Sequence, residues 1–219
     1  MFQDPEREEI DHRTIKLIVG VVALSLPGLT SLFASAPLTS ISASYYQGGW
    51  SQSIYIGFLF AISALLLGYN GYTWPQMVLS KVASVAGFVS VLFPCACDGH
   101  VAPVPYLHEL AGATTFLILA YFCYAFLRRA WNKGHTQAKA RGIIYALCGI
   151  GIVLTLVVLG ADALLLHGAL TARFPRLTFH WEYVGLLAFG IAWLTASRFL
   201  PLLTRSDEWF SPFRAHNPD

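Results

Sequence analysis

Eight ionisable side chains that could bind a metal or transfer protons lie between, or at the edges of, long apolar stretches. They are Asp98, His100, His108, Glu109, Asp162, His167, His180 and Glu182. Imidazole and carboxylate groups together suit zinc or a similar divalent ion, and a bound metal could activate water. The sequence therefore predicts a metal or lipid-headgroup site built from some of these residues.

The roles expected of these residues differ. The candidate metal ligands are His108, His180, Asp162, Asp98 and His100. The candidate catalytic residues are Asp162, Glu182 and Ser42, with Ser44 as a second source of a hydroxyl group. Asp162 could instead pair with His108, with His180 or with a backbone group, so structural pairing stays open beside catalysis. No spacing here matches a metal motif such as His-x-x-x-His, so only the residue types support a metal.

The four cysteines do not form a disulfide framework. Cys123 and Cys148 lie inside apolar stretches and are expected to be small packing residues. Cys95 and Cys97 share one loop, where a bridge across a single residue would be strained, so the sequence favours free thiols. A soft-metal or redox site over residues 95–100 is the alternative.

The composition is that of a membrane protein. Of the 219 residues, 56% are hydrophobic and 12% are charged, whereas soluble domains carry about 25% charged residues. One soluble core could not bury so much apolar surface, but a bilayer accepts it. We expect a single all-α domain over 1–219, a bundle of six transmembrane helices of about 20 residues each. The expected spans are 15–34, 51–69, 76–93, 107–127, 142–166 and 180–200.

The distribution of basic residues predicts the orientation. All Lys and Arg except Arg173 and Arg176 fall on the side that carries both termini. By the positive-inside rule that side is cytoplasmic, so the His and carboxylate side chains face outward. The acidic N-terminus is unlike a signal peptide, so we expect the first span to be retained.

The bacterial inner membrane is the expected location. No basic domain lies outside the bilayer, so nucleic acid is not an expected partner. The expected partners are membrane lipids and either a second copy of the chain or another membrane subunit.

Several segments resemble a group of uncharacterised six-span bacterial membrane proteins, loosely similar to the DRAM-like family. They are residues 40–46, 55–62, 68–72 and 92–94, His108 with Phe116, and Glu182 with residues 189–194. The resemblance implies a six-span protein and brings no established activity. Residues 95–100 and His180 are not part of the shared pattern.

A weaker similarity is to the membrane hydrolases that include alkaline ceramidases and adiponectin receptors. Those proteins use a Ser, an Asp and several His at one membrane face to hold zinc and cleave lipid amides. The similarity implies that Ser42 or Ser44, His108, Asp162 and His180 would take the roles of these zinc-site residues. The chain departs from that group in having six spans rather than seven, and no His pair at i, i+4 on the last span.

The leading functional interpretation is an integral membrane protein whose outward-facing His and carboxylate residues bind a metal or a lipid headgroup. A zinc-dependent lipid hydrolase is the first alternative, and it predicts that these side chains converge on one polar site. A non-enzymatic assembly subunit is the second, and it predicts that they are tied up in local hydrogen bonds. A small transporter would need a polar path through the bundle.

Overall fold

The computed structural model describes residues 12–210, which form six long apolar helices and one short helix, with no strand among them. The helices are α1 (His12–Leu32), α2 (Gly49–Gly68), α3 (Trp74–Leu92), α4 (Leu107–Lys133), α5 (Thr136–Leu164), α6 (Ala169–Arg173) and α7 (Leu177–Ala196). All but α6 are long and apolar enough to cross a bilayer. This confirms the predicted all-α, six-span membrane fold.

The largest difference from the predicted spans is at the junction of α4 and α5. The basic segment 128–141 was expected to be a loop, but it is helical except at two residues. Gly134 ends α4 with a left-handed φ of 75°, and the His135 ring caps α5 by accepting a hydrogen bond from the Ala138 amide at 3.2 Å. The Arg, Lys, Ala and Gln residues of segment 128–141 are good helix formers, which explains why α4 and α5 continue beyond the apolar stretches.

The six long helices form a closed ring. Helices α1 to α5 pack in chain order, each against its neighbour. Helix α5 then packs against α7, and α7 packs back against α1. We call the end at which α2, α4 and α7 begin the His108 end, and the opposite end the Glu208 end. The short helix α6 and the 3-10 helix Ser42–Tyr46 lie at the His108 end.

Helix α1 crosses α7 at a pair of glycines. A Cβ atom on Gly20 would lie 2.7 Å from the backbone nitrogen of Leu194, and one on Gly190 would lie 3.0 Å from the Gly20 carbonyl oxygen. Only glycine permits this backbone separation, which is how small residues bring membrane helices together.

Serine hydroxyls link neighbouring helices inside the ring. Ser84 donates to the Ser63 carbonyl at 2.7 Å between α3 and α2, and Ser51 donates to the Thr30 carbonyl at 2.9 Å between α2 and α1. These buried hydroxyls find a backbone acceptor, so they stabilise the bundle without exposing polar groups to hydrocarbon.

The Glu208 end is held by a cluster of ion pairs. The Glu208 carboxylate accepts hydrogen bonds from Lys133, from Arg141 at 3.2 Å and from Arg198 at 2.8 Å. The Arg141 side chain is completely buried and also donates to the Leu203 carbonyl. The segment after α7 is therefore fixed across the ends of α4 and α5.

Candidate functional site

One connected group of polar side chains occupies the His108 end, and three separate parts of the chain contribute to it. Ser42 begins the 3-10 helix between α1 and α2, His108 lies in the first turn of α4, and Glu182 lies in the second turn of α7. The start of α4 is set by Tyr106, whose left-handed φ of 59° turns the incoming loop into the helix. We call Ser42, His108 and Glu182 the outer cluster, because they lie at one outer end of the bundle, and the name does not specify a side of the membrane.

The hydrogen bonds of His108 determine which ring nitrogen carries the proton. Nδ1 lies 2.9 Å from the Ser90 carbonyl oxygen and 3.0 Å from the Phe93 carbonyl oxygen, at the end of α3. Carbonyl oxygens only accept, so in the neutral ring Nδ1 bears the hydrogen and Nε2 presents its lone pair. Nε2 is 3.0 Å from the Ser42 hydroxyl oxygen, so that hydroxyl donates to it.

Glu182 holds the chain segment that carries Ser42. Its Oε2 accepts from the Ile41 amide at 2.5 Å, and its Oε1 lies 3.5 Å from the Ser42 hydroxyl oxygen. Ser42 has a single proton, and the 3.0 Å contact with His108 is the better hydrogen bond. The main contribution of Glu182 is therefore to fix the start of the 3-10 helix.

The burial of the cluster suits a binding site. The His108 ring is buried, while Ser42 and Glu182 are partly exposed. Tyr55, from α2, is buried against the same hydroxyl of Ser42. The cluster is therefore buried at His108 and partly exposed at Ser42 and Glu182.

The two predicted ligands in the loop between α3 and α4 lie beside this cluster but do not join it. Asp98 is exposed and accepts a hydrogen bond from the Thr39 hydroxyl at 2.7 Å. His100 is exposed and stacks on Tyr46, with ring centroids 3.8 Å apart. Both contacts attach this loop to the segment between α1 and α2.

Asp162 and His180 make local hydrogen bonds. Asp162 is buried and accepts from the amides of Leu170 and Thr171, at 2.8 and 3.1 Å, and from the Thr171 hydroxyl. His180 is exposed, and its Nδ1 lies 2.7 Å from the Arg176 carbonyl in the same helix. Of the partners considered for Asp162, the structure thus shows backbone groups, which shape the turn into α6.

The described residues 12–210 contain no group of three or more His, Cys, Asp or Glu side chains arranged to hold a metal ion. The predicted ligands are instead divided among the outer cluster, the Asp98 and His100 loop, the Asp162 cap and the exposed His180. Zinc binding therefore stays a prediction from residue type.

The expectation of free thiols at Cys95 and Cys97 is wrong, because the structure joins them in a disulfide. The chain turns sharply just after the bridge: the His100 amide donates to the Cys97 carbonyl at 3.0 Å and Asp98 has a φ of 52°. The two Cα atoms are 5.4 Å apart, within the usual disulfide range. Cys123 and Cys148 are buried free cysteines, as predicted.

Sequence reasoning missed the backbone partners of the outer cluster. The carbonyls of Ser90 and Phe93 and the amide of Ile41 have no signature in side-chain type. The only signal for Ser42 was its position in a polar segment at the predicted outer surface.

The chain matches no protein-family model, no curated protein and no solved structure, so both resemblances to known membrane protein families stay predictions.

Proposed function

We propose that this integral membrane protein binds the polar headgroup of a membrane lipid at the outer cluster. The observation that carries the proposal is the contact among Ser42, His108 and Glu182, which come from three parts of the chain and meet at a partly exposed position. Polar groups at the edge of the hydrocarbon are costly, and a connected, accessible set of them is characteristic of a binding site.

The chemistry of the cluster favours a headgroup that donates hydrogen bonds. The Glu182 carboxylate offers oxygen lone pairs that can accept, whereas the Nε2 lone pair of His108 is already occupied by the Ser42 hydroxyl. Arg176 adds a positive charge nearby. It donates to the Leu38 carbonyl at 3.2 Å, four residues before Ser42 in the segment between α1 and α2. An ammonium group near the carboxylate and a phosphate near the arginine would satisfy both charges, as in phosphatidylethanolamine.

We further propose that the His108 end faces outward, in the inner membrane of a bacterium. Of the described Lys and Arg residues, Arg173 and Arg176 lie at the His108 end and the others lie toward the Glu208 end. The positive-inside rule then makes the Glu208 end cytoplasmic. The resemblance to bacterial membrane proteins supports the choice of membrane.

The test compares two zwitterionic lipids, of which only one can donate hydrogen bonds from its headgroup nitrogen. Phosphatidylethanolamine carries N–H groups, whereas phosphatidylcholine carries three methyl groups in their place. We expect native mass spectrometry of the protein to show preferential retention of phosphatidylethanolamine, and Glu182→Gln to weaken this preference about tenfold or more, the effect of a lost charged hydrogen bond.

Ser44→Ala is the matched control, because the Ser44 hydroxyl is buried two residues from Ser42 and has no partner. It should retain the preference. Equal retention of the two lipids by the native chain would refute the proposal.

Zinc-dependent lipid hydrolysis, membrane assembly and transport stay alternatives, and no contact described above favours one of them specifically. The zinc alternative has a direct check. Near-stoichiometric zinc in native protein purified without chelator, lost in a His108→Ala, His180→Ala double variant, would favour it over headgroup binding alone.

A further inference from the structure

We propose that Ser42 is the nucleophile of an acyl-transfer reaction, with His108 as its general base and a carboxylic ester of a membrane lipid as the substrate class. The proposal rests on the lipid-binding function proposed above, which would bring the ester to the site. It adds a chemical reaction that headgroup binding alone does not require.

The relation between Ser42 and His108 is that of an activated nucleophile. A weak hydroxyl nucleophile needs a base within hydrogen-bond reach, and the base needs a third group to orient it. Here the base is 3.0 Å away, and the carbonyls of Ser90 and Phe93 hold its other nitrogen. These carbonyls fix the tautomer that can accept the Ser42 proton, which is one of the tasks of the Asp in a Ser-His-Asp triad.

The neighbouring serines show that this arrangement is particular to Ser42. The Ser40 hydroxyl is buried and accepts from the Ala43 amide at 3.0 Å, while the Ser44 hydroxyl is buried without a partner. Of the three, Ser42 alone combines contact with an imidazole and partial exposure. A substrate arriving from the His108 end would therefore meet this hydroxyl.

Glu182 and Tyr55 complete the surroundings of the nucleophile. Glu182 is a positioning residue, because its bond to the Ile41 amide fixes the backbone from which Ser42 projects. Tyr55, from α2, is buried beside Ser42.

The reaction follows the two steps of covalent acyl transfer. The Ser42 oxygen attacks the ester carbonyl carbon while its proton moves to His108 Nε2. The bond to the leaving alcohol then breaks, and that alcohol oxygen takes the proton from Nε2. In the second step water or another alcohol attacks the acyl-serine, gives its proton to Nε2, and releases the carboxylic acid or new ester as Ser42 regains its proton.

The test uses a tagged alkyl phosphonofluoridate and the full-length protein in lipid nanodiscs. An activated serine attacks the phosphorus and displaces fluoride, so the tag becomes attached to that serine. We expect labelling of the native chain, assigned to Ser42 by peptide mass spectrometry. Ser42→Ala should reduce it to background, and His108→Gln should slow it about 100-fold or more, the usual contribution of a general base.

Ser44→Ala should be labelled at the native rate, and thermal melting of each variant establishes that it is folded. If a variant at Ser42 or His108 does not fold, the proposal is tested by the native chain alone, through the residue to which peptide mass spectrometry assigns the tag. No tag on Ser42 of the folded native protein, or an unchanged rate in folded His108→Gln, would overturn the proposal. If the protein prefers phosphatidylethanolamine but Ser42 is not labelled, headgroup binding is supported and the nucleophile is refuted. If Ser42 is labelled but the protein shows no lipid preference, the nucleophile is supported and headgroup binding is refuted.

Discussion

At the scale of single residues, the hydrogen-bond partner decides what each polar side chain can do. His108 and His180 both lie near the start of a long helix, yet one ring contacts Ser42 and the other contacts the carbonyl four residues earlier. Asp162 and Glu182 also differ: Asp162 caps a turn, and Glu182 reaches the partly exposed cluster. Residue type and approximate depth are alike within each pair, so neither could have distinguished them.

Glu208 gives a prediction about pH at this scale. Partial burial raises its pKa, but the hydrogen bond from Lys133 and the neighbouring positive charges outweigh burial and lower the pKa to about 2. A carboxylate whose pKa is lower in the folded state stabilises the fold above its unfolded pKa, about 4.5, and loses that effect as the pH falls toward 2.

We expect Glu208→Gln to lower the free energy of unfolding at pH 7, on the order of 1–3 kcal/mol. The difference from the native chain should shrink as the pH falls from about 5 to about 2, which thermal melting in detergent can follow. Asp207→Asn is the neighbouring control, because the Asp207–Arg205 pair is exposed to solvent on both sides and contributes little. A difference for Glu208→Gln that does not vary with pH would contradict the assignment.

At the scale of the elements, the order of the helices around the ring follows from close contacts between particular pairs. The serine bonds join α1 to α2 and α2 to α3, and the glycine contact joins α7 back to α1. Helix α7 carries Glu182, and α1 leads directly into the segment that carries Ser42. The contact between these two helices therefore helps to position the outer cluster.

Two glycine substitutions in α1 test that contact. Gly20→Ala places a methyl group against the α7 backbone, which cannot move aside as a flexible side chain would. We expect it to destabilise the fold by about 1–3 kcal/mol, as overpacking does. Gly28→Ala, in the same helix with no atom within 4 Å of the added carbon, should be neutral or slightly stabilising. Equal melting temperatures for the two variants would argue against the α1–α7 contact.

At the scale of the whole molecule, the orientation in the membrane determines whether the outer cluster faces the cytoplasm or the outside. Val101, in the loop between α3 and α4, and Leu202, after α7, are almost fully exposed at opposite ends of the bundle. Cys123 and Cys148 are buried, so a new surface cysteine would be the reactive one.

We expect Val101→Cys to react with a membrane-impermeant maleimide added to intact cells, and Leu202→Cys to react only after the membrane is opened. The native chain is the control for background labelling. The opposite pattern would place the outer cluster on the cytoplasmic side and contradict the proposed orientation.

The sequence by itself determined the class of this protein and the approximate position of every span. Runs of apolar residues long enough to cross a bilayer leave few alternatives to a helix, because each backbone group must be paired within its own segment. The same reasoning located Ser42, His108 and Glu182 near one surface. It missed the helical continuation of α4 and α5, which depends on caps at Gly134 and His135.

Only the tertiary structure decided which polar residues meet. The distance between Ser42 and His108 depends on how α1, α3 and α4 pack, and the orientation of the imidazole depends on backbone carbonyls at the end of α3. The bridge between Cys95 and Cys97 likewise depends on the loop conformation, which holds their two Cα atoms 5.4 Å apart. Apolar patterning fixes the depth of a residue in the bilayer, but rotation and contact around the ring come from packing alone.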